Sequence, residues 1–274
     1  PTNVSVVGPV TALQCNGTLS SSGPNNISFI GGTLATGSVN CTISVTVTSS
    51  VSGSYTNGTT NMSGLSVGMT NSANATLDVG VPVSGTVYSD VNHNGIDDLS
   101  EAGTGLTLYA KLIPSAAPGG PAIQAVLVDP STGVYSFPLV SFGNFIVVID
   151  NNNSLGDVTP TIPAGWIGTE IPNQTRTSVV VGGPGTTNLN FGLFNGSVLS
   201  GQVFDDRSSV AGTANNGVPN AGESGIAGVT LQATHPSCPG SVCDTAVTNG
   251  AGTYQLWIPA SVGNTSVSIV ETNL

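Results

Sequence analysis

Four short segments occur twice in this chain, in the same order. Val83-Ser-Gly-Thr-Val-Tyr-Ser-Asp90 lines up with Leu199-Ser-Gly-Gln-Val-Phe-Asp-Asp206. Glu101-Ala-Gly-Thr-Gly-Leu-Thr-Leu108 matches Glu223-Ser-Gly-Ile-Ala-Gly-Val-Thr-Leu231 with one residue inserted. Ser131-Thr-Gly-Val-Tyr-Ser-Phe137 then matches Gly250-Ala-Gly-Thr-Tyr-Gln-Leu256, and Val147-Val-Ile-Asp150 matches Ser268-Ile-Val-Glu271. Collinear repeats of this length mean that each copy is one structural unit. The boundaries follow as residues 1–80, 81–196 and 197–274, with the last copy ending before its closing strand.

The periodicity within each unit is that of strands. No run carries apolar residues at helical spacing, whereas alternating runs rich in Val, Thr and Ile sit between Gly, Asn and Ser turns. Thr42–Thr48 is an example, predicted to turn Ile43, Val45 and Val47 inward and its threonines outward. The expected fold is therefore all-β: tandem antiparallel β-sandwiches of Ig-like or prealbumin-like type in an elongated array. Leu106, Leu108 and Ala110 share one face of such a strand, which predicts Lys111 on the solvent face with Thr107 and Tyr109. An amide cross-link between this lysine, the chain's only one, and an asparagine is not expected on that placement.

Between the first two repeated segments lies Asp90-Val-Asn-His-Asn-Gly-Ile-Asp-Asp-Leu-Ser-Glu101. It fits the pattern D-x-[DN]-x-[DN]-G-x5-E throughout. Such spacing sets short oxygen-bearing side chains around a glycine turn, which suits Ca²⁺, a hard cation that takes about six to eight oxygens. Asp90, Asn92 and Asn94 would offer side-chain oxygens, Ile96 its carbonyl, Asp98 a direct or water-mediated contact, and Glu101 both carboxylate oxygens. The flanking runs read as strands, so a static clamp is expected here, not a helix-flanked sensor. The second copy keeps Asp206, Asn216, Asn220 and Glu223 but inserts residues 207–215 between the first two, which sets Arg207 beside Asp206. A longer loop with fewer carboxylates predicts a weaker second site.

Charge and cysteines narrow the setting. Three basic residues stand against fourteen acids, a net charge of −11. That balance excludes a phosphate-backbone partner, because nucleic-acid binding needs a basic footprint. No apolar run is long enough to span a membrane as a helix. Cys238 and Cys243 flank a Pro-Gly turn and are expected to pair, leaving Cys15 for Cys41, although four cysteines allow other connectivities. Zinc held by Cys238, Cys243 and His235 is the rival, weakened by the lack of a second close pair. Disulfides imply an oxidising, extracellular compartment. The chain opens at Pro1 and reads as a window of a longer protein.

Two resemblances add to this reading. Gly31-Gly-Thr-Leu-Ala-Thr-Gly-Ser-Val-Asn-Cys-Thr-Ile-Ser-Val-Thr-Val-Thr48 resembles bacterial Ig-like surface repeats, which implies that residues 1–80 are the C-terminal part of such a sandwich with Cys15 as the partner cysteine. The opening motif of residues 83–274 is similar to the B-type repeats of serine-aspartate-repeat bacterial adhesins. That likeness implies calcium at Asp90, Asn92, Asn94, Asp98 and Glu101, and a stiff stalk on the cell surface.

Catalysis finds no support: two histidines, no nucleophile elbow, no phosphate loop and no zinc-protease motif are present. Trp166 and Trp257 could each stack on a sugar, but filling a core or covering a module junction is the better reading. The expectation is a non-catalytic, calcium-rigidified segment of a secreted bacterial surface protein or extracellular fibre. Its partners would be neighbouring repeats or subunits of the same protein. The alternative is an adhesin module that binds a host glycan or matrix protein.

Overall fold

The computed structural model describes residues 1–13, 15–21, 23–34, 36–37, 42–66, 74–207, 213–220 and 222–272. These contain twenty strands, three short 3₁₀ turns and no α-helix, so the all-β expectation holds. The chain divides into two compact units. One gathers residues 1–83, 137–144 and 180–187, and the other gathers 84–136, 145–179 and 188–274.

Residues 1–80 carry β1 (Ser5–Val6), β2 (Thr11–Leu13), β3 (Cys15–Ser21), β4 (Ile27–Leu34), β5 (Thr42–Ser44), β6 (Val47–Thr48), β7 (Gly53–Asn57) and β8 (Ala75–Val79). They pair as two-stranded antiparallel ribbons, β1 with β6, β2 with β5, β3 with β4 and β7 with β8. Among the described residues of this segment only Val4 is buried. The predicted single strand over Thr42–Thr48 is instead broken into β5 and β6. The break follows from pairing, because β5 bonds to β2 while β6 bonds to β1. Ile43, Val45 and Val47 stay exposed, at 37% each. The expected Cys15–Cys41 pairing falls on Cys41 and on the Cys15 side chain, outside the described residues.

The first repeat copy is a sandwich. Its strands are β9 (Val81–Ser89), β10 (Tyr109–Pro114), β11 (Gln124–Leu127), β12 (Val134–Val140), β13 (Gly143–Asp150), β14 (Trp166–Gly168), β15 (Thr175–Val181) and β16 (Phe191–Gln202). One sheet runs β11-β10-β13-β15 and the other β12-β9-β16-β14. Alternation works as predicted along β12, where Tyr135 and Phe137 are buried between exposed neighbours. The second copy supplies β17 (Thr230–Thr234), β18 (Val242–Val247), β19 (Thr253–Pro259) and β20 (Ser268–Glu271). Its sheet runs β18-β17-β20, over a core that includes Leu231, Ala233, Cys238, Leu256 and Ile258.

The two copies share one strand. Residues Phe191–Leu193 of β16 lie parallel to β9, and Trp166–Gly168 pair with Leu193–Asn195. From Gly196 to Gln202 the same strand pairs antiparallel with all of β19. The polypeptide thus passes from one module to the next as hydrogen-bonded sheet, without a connecting loop.

Lys111 corrects the sequence expectation. It is fully buried, not solvent-facing, as are Ala110 and Leu112 on either side of it. The alternation argument failed because β10 is covered on both faces. Beyond the main core, the segment after β13 folds back over it, and a second small cluster forms from Ile113, Ala122 and Val148 with Ile146 and Val158. An isolated lysine inside the apolar run Leu108–Ile113 was the available signal.

The repeated glycines have a steric cause. A Cβ on Gly103 would lie 2.4 Å from the Pro130 carbonyl oxygen, and one on Gly225 would lie 2.0 Å from that of Ala251. In both copies the segment after the acidic loop passes directly over the turn that leads from one sheet to the other, β11 to β12 and β18 to β19, backbone against backbone. Gly225→Ala is expected to lower stability by about 1–3 kcal/mol, the usual range for overpacking. A thermal melt of that variant, matched against Ala227→Gly as a surface control, measures it.

Candidate metal centre

The acidic loop hangs between β9 and β10. Its ends are fixed by main-chain bonds, from Ser89 N to Ala102 O (2.9 Å) and from Asp90 N to Leu193 O (3.0 Å). Asp90, fully buried, closes the loop by accepting from Asn94 N at 3.1 Å and Gly95 N at 2.8 Å. Gly95 sits at φ 70°, in the left-handed region where glycine carries no Cβ penalty. Asn92 Oδ1 accepts from Asn94 N at 3.1 Å, and Asn94 Oδ1 accepts from Ile96 N at 2.7 Å. Each of the three leading side chains is thereby turned inward by its own backbone.

The far end of the loop meets them. Asp98 Oδ2 accepts from Asn92 Nδ2 at 2.8 Å and from Asn94 Nδ2 at 2.9 Å. Glu101 spans the loop, Oε1 taking Val91 N at 3.0 Å and Oε2 taking Asp98 N at 3.2 Å. All five predicted side chains, Asp90, Asn92, Asn94, Asp98 and Glu101, therefore converge. Ile96, predicted to offer only its carbonyl, turns its side chain to solvent.

Convergence of acids has an electrostatic consequence. The Glu101 carboxyl is held above its ordinary pKa, first by burial and then by the charges of Asp90 and Asp98, against two backbone N–H bonds that pull it down. Burial and the Asp98 charge raise Asp97 in the same way. Among the described residues no three His, Cys, Asp or Glu side chains cluster closely enough to hold an ion on their own. The converging set here is a mixed one, carboxylates with carboxamide groups. That chemistry fits a hard cation better than zinc or another soft metal.

The second loop keeps the same wiring with fewer parts. Asp206 accepts from Asn216 N at 3.2 Å and Gly217 N at 2.7 Å, as Asp90 does from Asn94 and Gly95. Glu223 Oε2 accepts from Asn220 N at 2.7 Å, as Glu101 does from Asp98. Its other oxygen, Oε1, is buried without a hydrogen-bond partner among the described residues. Asn220 turns its amide nitrogen to Val218 O and Asn216 Oδ1. Arg207, placed by the sequence beside Asp206, makes its ion pair with Asp205 instead. Asp206 is thus left to the loop.

Residues that the sequence reading did not assign hold the first loop to its surroundings. Asn190 Nδ2 donates to Asp97 Oδ2 at 3.2 Å while its Oδ1 accepts from Thr86 N at 3.0 Å. His93, the fourth loop residue, stands at φ 48° and points away from the converging oxygens. Its ring stacks on Trp257 of β19 at 5.1 Å and 8°, and meets Phe194 of β16 edge-on at 5.9 Å. His93 Nε2 lies 3.2 Å from Asp244 Oδ1 of β18, and Asp244 Oδ2 accepts from Trp257 N at 2.7 Å. His93 thus carries the loop onto the following module. Trp257 therefore covers a module junction, one of the two roles expected of it. No local signal marks these partners, which lie far along the chain.

Cys238 and Cys243 form the expected disulfide, with Cα atoms 5.0 Å apart, so zinc at these cysteines is excluded. His235 is engaged elsewhere, with Thr265 Oγ1 at 3.0 Å.

Comparison with known proteins adds little to the chemistry. A family described as a domain of unknown function, DUF7933, matches residues 1–79, which contain neither loop. No curated protein matches the chain. Among solved structures the Bacillus anthracis TIE protein is similar, with 10% identity over 96% of this chain and a TM-score of 0.30. The chain spans 36% of the length of that protein.

Asp90→Ala would leave Gly95 N without its acceptor and Asn94 N with Asn92 Oδ1 alone, and is expected to cost about 1–3 kcal/mol even in the presence of a chelator. Urea unfolding in EDTA tests this. An unchanged midpoint would mean that the loop is not organised around Asp90.

Proposed function

We propose that this chain is a non-catalytic structural segment of a secreted bacterial cell-surface protein, in which Ca²⁺ at Asp90–Glu101 stiffens consecutive β-modules. The observation that carries this reading is the position of the acidic loop at a module junction. Its backbone is pinned by Leu193 O at the head of the shared strand, and its His93 ring is stacked on Trp257 of the next module. Ordering the loop therefore orders the seat of the following module. A cation would supply charge neutralisation among Asp90, Asp98 and Glu101. The chain's own residues do the rest, His93 and Phe194 transmitting the loop's position to β19.

The disulfide between Cys238 and Cys243 supports an oxidising compartment. External calcium is about millimolar, a concentration suited to weak extracellular sites. A ligand that binds only the folded state stabilises it by about 2.7 kcal/mol at a hundred times its Kd. The second loop, whose Glu223 Oε1 has no hydrogen-bond partner among the described residues, is a further candidate of lower affinity.

Trp257 provides the assay, since the only other tryptophan is Trp166. In a Trp166→Phe background, adding Ca²⁺ to the chelated chain is expected to shift Trp257 emission and raise the melting temperature together. Glu101→Gln is expected to weaken both responses by at least tenfold in calcium concentration. A melt and an emission spectrum indifferent to Ca²⁺ would remove calcium from the proposal.

A further inference from the structure

Lys111, Asp150 and Asn152 form a closed ring of contacts that the calcium reading does not use. Lys111 Nζ lies 2.5 Å from Asp150 Oδ2 and 3.1 Å from Asn152 Oδ1. Asn152 Nδ2 lies 2.9 Å from the same Asp150 Oδ2. One carboxyl oxygen therefore touches both the lysine nitrogen and the carboxamide nitrogen. Lys111 and Asp150 are fully buried, with side chains at 0% exposure. A buried ion pair costs several kcal/mol per ion in lost hydration, recovered only where geometry is close.

The surroundings hold the lysine in place. Lys111 Nζ also contacts Asp157 O at 2.6 Å, and Asn152 is pinned by a contact from Nδ2 to Asp157 Oδ2 at 3.1 Å. Ser154 N donates to Asn152 Oδ1 at 3.0 Å. That N–H points at the oxygen on which negative charge would develop if a nucleophile added to the Asn152 side-chain carbon, a placement that stabilises such a step. Lys111 belongs to the middle of β10 and Asn152 to the segment just after β13, so a bond between them would close the cover over the second small cluster.

We infer that Lys111 and Asn152 are a self-modification site, forming an intramolecular amide between Lys111 Nζ and Asn152 Cγ with Asp150 carrying the proton. Proton transfer from Nζ to Asp150 Oδ2 frees the nitrogen lone pair, which adds to Asn152 Cγ. The oxyanion on Oδ1 is met by Ser154 N–H. Asp150 Oδ2 then delivers that proton to Asn152 Nδ2, the Cγ–Nδ2 bond breaks, ammonia leaves, and the second Nζ proton passes to Asp150, which ends neutral beside the amide. One N–C bond forms, one breaks, and no oxidant or cofactor is needed. The product replaces a buried ion pair by a neutral amide, and ties β10 covalently to the segment that follows β13.

The test is the mass of the whole chain, reduced and denatured. The expected mass is that of the sequence less one ammonia. Trypsin gives an independent readout, because the chain offers cleavage only after Lys111, Arg176 and Arg207. A lysine held in an amide is not cut, so Pro1–Arg176 is expected to survive digestion of the denatured chain as one fragment. Asp150→Asn and Asn152→Ala are each expected to restore both the full mass and cleavage after Lys111. The wild-type chain decides the matter even if neither variant folds. A full mass with cleavage after Lys111 would overturn the proposal and leave an ion pair. Loss of one water instead would overturn the assignment of Asn152, making Asp150 the acceptor.

Discussion

The arrangement of both repeat copies depends on β16, a strand that cannot be assigned to either alone. Its first residues complete the sheet containing β9 and β14, and its remaining residues complete the backbone pairing of β19. Main-chain hydrogen bonding fixes orientation as well as distance, because a strand has to present its N–H and C=O groups in register to satisfy its neighbours. A flexible linker would leave the modules free to swing. A shared strand makes their relation part of the sheet itself. The acidic loop acquires its meaning from this, since it sits where the strand changes partners.

The side chains at that point follow from the pleat. Leu256 and Ile258 of β19 are buried in the second copy's core, so Trp257 between them must emerge on the opposite face. That face is where His93 arrives. The positive φ of His93 belongs to a loop curled around inward-turned oxygens, which obliges the ring to project outward. Two local rules, strand alternation and loop curvature, thus bring together rings from different modules. The carboxylate of Asp244 then completes the contact by holding both the imidazole and the Trp257 backbone.

What the sequence revealed and what it hid divide by range. The convergence of the Asp90–Glu101 side chains was legible because their geometry is set within twelve residues, by spacing and by one glycine. The repeated glycines at 103 and 225 were visible as a pattern, though the carbonyls they avoid were not. Lys111 was misplaced because its cover comes from Asp150 and Asp157, far along the chain, and alternation speaks only of one buried face. Thr42–Thr48 erred in the opposite direction: its pattern is that of a covered strand, yet its two halves have different partners and its apolar side chains stay exposed. Patterning records which face could be buried, and the tertiary structure decides whether anything arrives to bury it.

The parallel pairing of Val87–Ser89 with Phe191–Leu193 has a mechanical corollary. The chain enters the first sandwich along β9 and leaves it along β16, two neighbours running in the same direction. Tension applied at the two ends would slide these strands past one another, loading their hydrogen bonds together in shear. An antiparallel hairpin pulled from its open end would instead give way one bond at a time, like a zip. A module laced this way resists being drawn out even where its equilibrium stability is ordinary.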